Sequence, residues 1–224
     1  MKLRDSLKIF ALLLLVESMI GAFKQPFMSN FDNIYESVGQ FANVVKYYYT
    51  DISVWLQVVL YVSFSMHIVW MGSRMPNNRF QFYFVLDAIV AVANALVVFL
   101  SYEAMGLVFF FKLTTEAVAI VTCFLAGWAL YRDLSIKPIR KICFSYWLLA
   151  LRHILYCGIL IVTLMVYGVN GISTQALQNQ TTINIAWGLV VPIFVISRYM
   201  LYVGTKELKV NADNKEKEQT LKEI

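Results

Sequence analysis

Six runs of apolar residues dominate the chain, at 7–23, 52–72, 80–101, 106–131, 142–168 and 183–203. A helix rising about 1.5 Å per residue needs roughly 20 residues to cross a hydrocarbon layer about 30 Å thick. The runs match that length. They are continuously apolar instead of alternating at period two, which predicts helices and argues against the strands of a membrane barrel. In lipid every backbone N–H and C=O has to be paired within its own segment, and a helix does this. The pattern predicts an all-α, polytopic transmembrane helix bundle of about six spans, forming one domain over 1–205, with a charged tail at 206–224.

Between the first two runs the periodicity changes. Phe31, Ile34, Val38, Phe41, Val45 and Tyr48 recur at helical spacing, and Asp32, Glu36, Gln40 and Asn43 fall between them. That pattern predicts an external amphipathic helix lying on the bilayer surface. Tyr47, Tyr48, Tyr49 and Trp55 then fit the aromatic belt of the lipid–water boundary. The first run also has the form of a secretory signal peptide, with a basic start, a short core at 9–16 and a small residue at Ala22. Cleavage there would leave five spans and an external N-terminus.

Composition supports the membrane reading. Of the 224 residues 59% are hydrophobic and 15% charged, with a mean hydropathy of +0.63. A soluble domain has roughly half apolar and a quarter charged residues. The net charge of +5 does not mark a nucleic-acid binder, because the basic residues fall in short turns between apolar runs and build no solvated face. Their placement instead sets orientation. Lys2, Arg4 and Lys8, then Arg74 and Arg79, then Arg132, Lys137, Arg140 and Lys141, then the lysines of the tail, all lie on one side. The opposite loops hold Lys24 and Lys46. This asymmetry puts both termini in the cytoplasm, and a bacterial inner (plasma) membrane is the simplest host. Cys123, Cys143 and Cys157 lie inside apolar runs without metal-ligand spacing, so they read as packing residues, and no metal is expected. The outer loop 169–182 carries the sequon Asn179-Gln180-Thr181, a triplet common by chance.

Chemistry, if present, has to come from ionisable residues inside the runs, since a charge at the bilayer centre costs on the order of 2.5–3.5 kcal/mol unless paired or hydrated. Asp87 and Arg152 fall at similar estimated depth, which suggests an ion pair between the third and fifth spans. Asn94, with the small residues Ala88, Ala91 and Ala95, marks the inward face of the third span. Lys112 and Glu116 are four residues apart and share a helix face. Glu17 lacks a local partner, making it a candidate to meet Lys112, Arg152 or a polar cavity. His67 and His153, on separate spans, are the candidate axial ligands for a haem b. Pro192 predicts a kink in the last span, and Arg198, near its cytoplasmic end, reads as a snorkelling residue. No nucleophile elbow, phosphate loop or zinc motif occurs, so an enzyme is poorly supported.

These features lead to a small transport or channel-type protein with a buried polar pathway, using Asp87, Asn94, Lys112, Glu116, Arg152 and Glu17. Its partners would be the lipid bilayer and further copies of the chain. The competing reading is a non-catalytic membrane subunit or scaffold of a larger envelope or secretion assembly, with other membrane subunits as partners. A haem-binding redox anchor is the third reading.

Overall fold

The computed structural model describes residues 3–72, 79–96, 105–133, 137–171 and 188–207. Among these no strand occurs. The helices are α1 (Leu3–Ala22), α2 (Lys24–Ser29), α3 (Phe31–Val38), α4 (Gln40–Tyr47), α5 (Ser53–Gly72), α6 (Arg79–Leu96), α7 (Met105–Asp133), α8 (Lys137–Gly171) and α9 (Gly188–Glu207), with a π-helical turn, Tyr48–Ile52, leading into α5. Five stretches are long and apolar enough to cross a membrane: Asp5–Ser29, Gln40–Trp70, Phe109–Leu130, Ile139–Val162 and Gly188–Glu207. The remaining apolar run of the sequence is represented by α6. Residues 97–101 of that run, 183–187 of the last run, the sequon at Asn179, the tail beyond 207 and the side chain of Asn94 lie outside the described residues.

Successive long helices run antiparallel. Phe10 of α1 meets His67 of α5, and Glu17 meets Gln57. Tyr61 of α5 reaches Asp87 of α6, which in turn meets Cys123 of α7. The α7–α8 register is read from Gly127 against Cys143, Phe124 against Trp147, and Glu116 against His153. Lys141 of α8 pairs with Glu207 of α9, so the basic start of α8 and the end of α9 share one end of the bundle.

The bundle differs from a soluble protein in the large apolar side chains it exposes and in the polar groups it buries beside an apolar core. Large apolar side chains such as Leu13, Phe82, Ile89, Val121, Trp128 and Met165 are exposed. Serines, threonines, cysteines, alanines and charged residues are buried, among them Ser18, Ser65, Asp87, Glu116, Thr122, Ser145 and Arg198. So much exposed apolar surface is compatible with a multi-pass membrane protein, in which close packing of small residues helps to join the helices. Ala119, Cys123 and Ala126 repeat at helical spacing on the buried face of α7, and Phe64, Tyr146 and Leu201 fill the centre.

One sequence expectation is revised. The segment expected as a single amphipathic helix from Phe31 to Tyr48 is divided into α3 and α4, because Gly39 adopts φ +60° between them. That left-handed conformation is one that glycine adopts without steric cost. Phe31, Ile34, Val45 and Tyr48 are nonetheless half-buried, whereas Val38 and Phe41 are exposed. Pro192 lies in the second turn of α9, which is helical from Gly188 to Glu207.

Two outcomes test the packing. A Cβ placed on Gly127 would come within 2.6 Å of the Trp147 ring and 3.2 Å of the Cys143 carbonyl. Gly127→Ala is therefore expected to push α7 and α8 apart and to cost about 1–3 kcal/mol in reversible unfolding from detergent micelles. Unchanged stability would contradict the close α7–α8 approach. Leu7, Ala11 and Leu14 of α1 belong to the same core as Tyr61, Cys123 and Tyr146, so a chain starting at Phe23 is expected to aggregate on solubilisation. A monodisperse, equally stable truncated protein would contradict a structural role for α1.

Candidate functional site

Six helices contribute to one internal cavity of about 240 Å³. Its polar lining is Ser18 from α1, Gln57 and Tyr61 from α5, Asp87 from α6, Lys112 and Glu116 from α7, Arg152 and His153 from α8, and Arg198 from α9. Ordered along α7, these side chains form two levels. Asp87 is level with Cys123, and His153 is level with Glu116. Seven residues of helix separate the levels, or about 10 Å.

At the inner level, nearer the Lys141–Glu207 end, the buried carboxylate of Asp87 accepts hydrogen bonds from the Tyr61 hydroxyl and, at 3.3 Å, from the Cys123 thiol. Arg198 lies over the Tyr61 ring at 4.7 Å and over the Phe194 ring at 4.9 Å, and is only 6% exposed. Its Nε and Nη1 atoms have no hydrogen-bond partner among the described residues. Phe64, Tyr146 and Leu201 close this end with fully buried side chains.

At the outer level Glu116 is 1% exposed and lies between two donors. Lys112 Nζ is 3.2 Å away, one helical turn back, and His153 Nδ1 approaches the other carboxylate oxygen. Arg152 Nη1 is 3.5 Å from the same His153 nitrogen. A ring nitrogen that donates its proton to Glu116 has no lone pair left to accept from a guanidinium, so this contact does not satisfy Arg152. Its Nε is also buried and unpartnered, and its guanidinium rests on Phe194 at 5.0 Å. The Lys112 side chain keeps 25% exposure, which marks the outer end as the accessible one.

The sequence expectations fare unequally against this geometry. Lys112 and Glu116 do meet. Asp87 and Arg152 do not form an ion pair, because the α7–α8 register sets Arg152 at the level of Glu116, a full 10 Å of helix (~ two turns) from Asp87. Glu17 meets neither Lys112 nor Arg152. It accepts hydrogen bonds from Tyr48 at 2.5 Å and Gln57 at 3.4 Å, while Tyr49 bonds the Ile20 carbonyl at 3.1 Å. Two tyrosines expected at the lipid boundary thus dock the π-helical turn onto α1. His67 donates to the Ser63 carbonyl at 2.6 Å and packs on Phe10. It does not line the cavity that His153 lines. The cysteines are buried and free, and among the described residues no group of three or more His, Cys, Asp or Glu side chains gathers to hold a metal.

Sequence reasoning missed Tyr61, Phe194 and Arg198. One pattern was available: Gln57 and Tyr61, and likewise Phe194 and Arg198, are four residues apart and so share a helix face within apolar runs. Arg198 was read as snorkelling because distance from a span end does not reveal which way a side chain turns.

No protein-family profile, curated protein or solved structure matches this chain. The site must therefore be interpreted from its own chemistry.

Tyr61→Phe removes a donor from a buried carboxylate and is expected to cost about 1–3 kcal/mol. Adding Asp87→Asn should recover part of that loss, which a double-mutant cycle in reversible detergent unfolding would measure. Additive effects would mean that Tyr61 and Asp87 are not coupled.

Proposed function

We propose that this protein is an integral membrane protein of six spans that moves a small solute or ion through its polar centre. The carrying observation is the convergence of charged side chains from α6, α7, α8 and α9 on one cavity inside a bundle whose outer surface is apolar. On the helical rise, Arg198 lies about 13 Å from the end of α9, and Lys112 about 30 Å from the end of α7. The cavity then occupies the middle and outer part of a bilayer. Ionised groups at that depth are costly and are characteristic of substrate and ion pathways.

In this reading α6 is the third span, and both termini face the cytoplasm, with the basic turns. Asp87, Glu116 and Arg152 line the pathway together with Lys112 and Arg198, and Asn94 continues the Asp87 face two turns further along α6. The inner level is the closed gate and the Lys112 end is the entrance. Glu17 acts at the rim, holding the outer turn to α1. Lipid is the surrounding partner, and further copies of the chain are the expected neighbours along the exposed apolar flanks. The host membrane is a bacterial inner membrane.

The test is flux. Protein reconstituted in liposomes is expected to carry at least one member of a panel of small ions and solutes above the rate of empty vesicles. Glu116→Gln and Asp87→Asn should lower that rate at least tenfold with the protein still folded. Absence of flux across the whole panel, with stoichiometric foreign subunits after gentle solubilisation, would replace this reading by the scaffold.

A further inference from the structure

Among the described residues, Lys112, Arg152, Arg198, Asp87 and Glu116 are the Lys, Arg, Asp and Glu side chains that line the cavity. Both carboxylates are already engaged, Glu116 by Lys112 and His153, Asp87 by Tyr61 and Cys123. Neither guanidinium has a carboxylate within ion-pair distance among the described residues. Each packs on Phe194, and between them Nε of Arg152 and Nε and Nη1 of Arg198 are buried without an acceptor. Contact with an aromatic face attracts a cation but gives its N–H groups no hydrogen-bond acceptor. A buried guanidinium left this way is strongly unfavourable, and two beside one ring also repel each other.

We infer that the space beside Phe194 is a binding site for a small oxyanion, a carboxylate or phosphate group, held by Arg152 and Arg198. A planar guanidinium offers paired donors whose spacing matches the oxygens of these groups, so both Nε edges are suited to them. A halide would engage the charge but not the fork. The cavity, of about 240 Å³, has room for a short organic acid or inorganic phosphate. The bound oxyanion supplies the missing acceptors and leaves the Glu116 and Asp87 pairings undisturbed. This inference deepens the transport reading and rests on it for the entry route from the Lys112 end, while the binding chemistry stands on the arginines alone.

Binding is measured on the full-length protein in neutral detergent by thermal shift and calorimetry, at constant ionic strength. The probes are sodium acetate, succinate and phosphate, with chloride as the reference, and separately mixed micelles with phosphatidylglycerol or phosphatidylcholine. Saturable stabilisation by a soluble carboxylate or phosphate assigns the site to a solute. Stabilisation by phosphatidylglycerol alone assigns the same chemistry to a lipid headgroup. Arg198→Gln is expected to weaken binding at least tenfold without lowering the stability of the anion-free protein, since it removes a buried guanidinium whose Nε and Nη1 have no acceptor among the described residues. Arg152→Lys, which keeps the charge but loses the fork, should weaken it less than Arg152→Gln. A merely structural arginine would lower anion-free stability instead. No saturable response to any of the anions or to the anionic lipid, or undiminished affinity in the arginine variants, overturns the site. Flux of cations or neutral solutes without anion binding would overturn the site and leave transport standing. Anion binding without any flux would support the site and overturn transport.

Discussion

Ionised groups withdrawn from water have to find counter-charge, hydrogen bonds or residual water, and this constraint organises the bundle. Its surface exposes many large apolar side chains, and its interior holds polar and charged groups beside an apolar core. Once the exterior is solvated by lipid, apolar burial no longer distinguishes one helix arrangement from another. Small-residue contacts such as Gly127 against Trp147 set the spacing, and polar contacts such as Glu116 with His153 set the register. The same contacts that align the helices therefore also build the cavity.

The two levels of the cavity differ in how completely they are satisfied. Asp87 and Glu116 each have two side-chain donors, whereas Arg152 and Arg198 have an aromatic ring and unmet N–H groups. Paired carboxylates hold the helices together, and unsatisfied guanidiniums favour any ligand that can accept their hydrogen bonds. The imbalance points to a site for an external anion and away from a set of internal locks.

The all-helical architecture, the apolar stretches and the Lys112–Glu116 contact were legible in the sequence, because each follows from local spacing: run length, continuity and the i, i+4 rule. Relations between helices were not. Asp87 and Arg152 looked level when depth was counted from the edge of each apolar run, yet α8 begins at Lys137, before its run, and packs on α7 in a register fixed by Gly127 and Cys143. Glu17 lacked a local partner because its partners come from Tyr48 and Gln57, more than thirty residues away. Arg198 was misjudged for the same reason: rotation about a helix axis is decided by tertiary packing, here the rings of Tyr61 and Phe194.

The account depends on a wet interior within a lipid-covered exterior, and site-directed thiol labelling measures both at once. Ala91 lines the cavity and Val121 is exposed on the outer apolar face. In liposomes, Ala91→Cys should react with a small, charged methanethiosulfonate, whose sulfenyl sulfur is attacked by hydrated thiolates with release of methanesulfinate, and Val121→Cys should remain unmodified until detergent is added. Rapid labelling of Val121→Cys in intact vesicles, with Ala91→Cys inert, would contradict it.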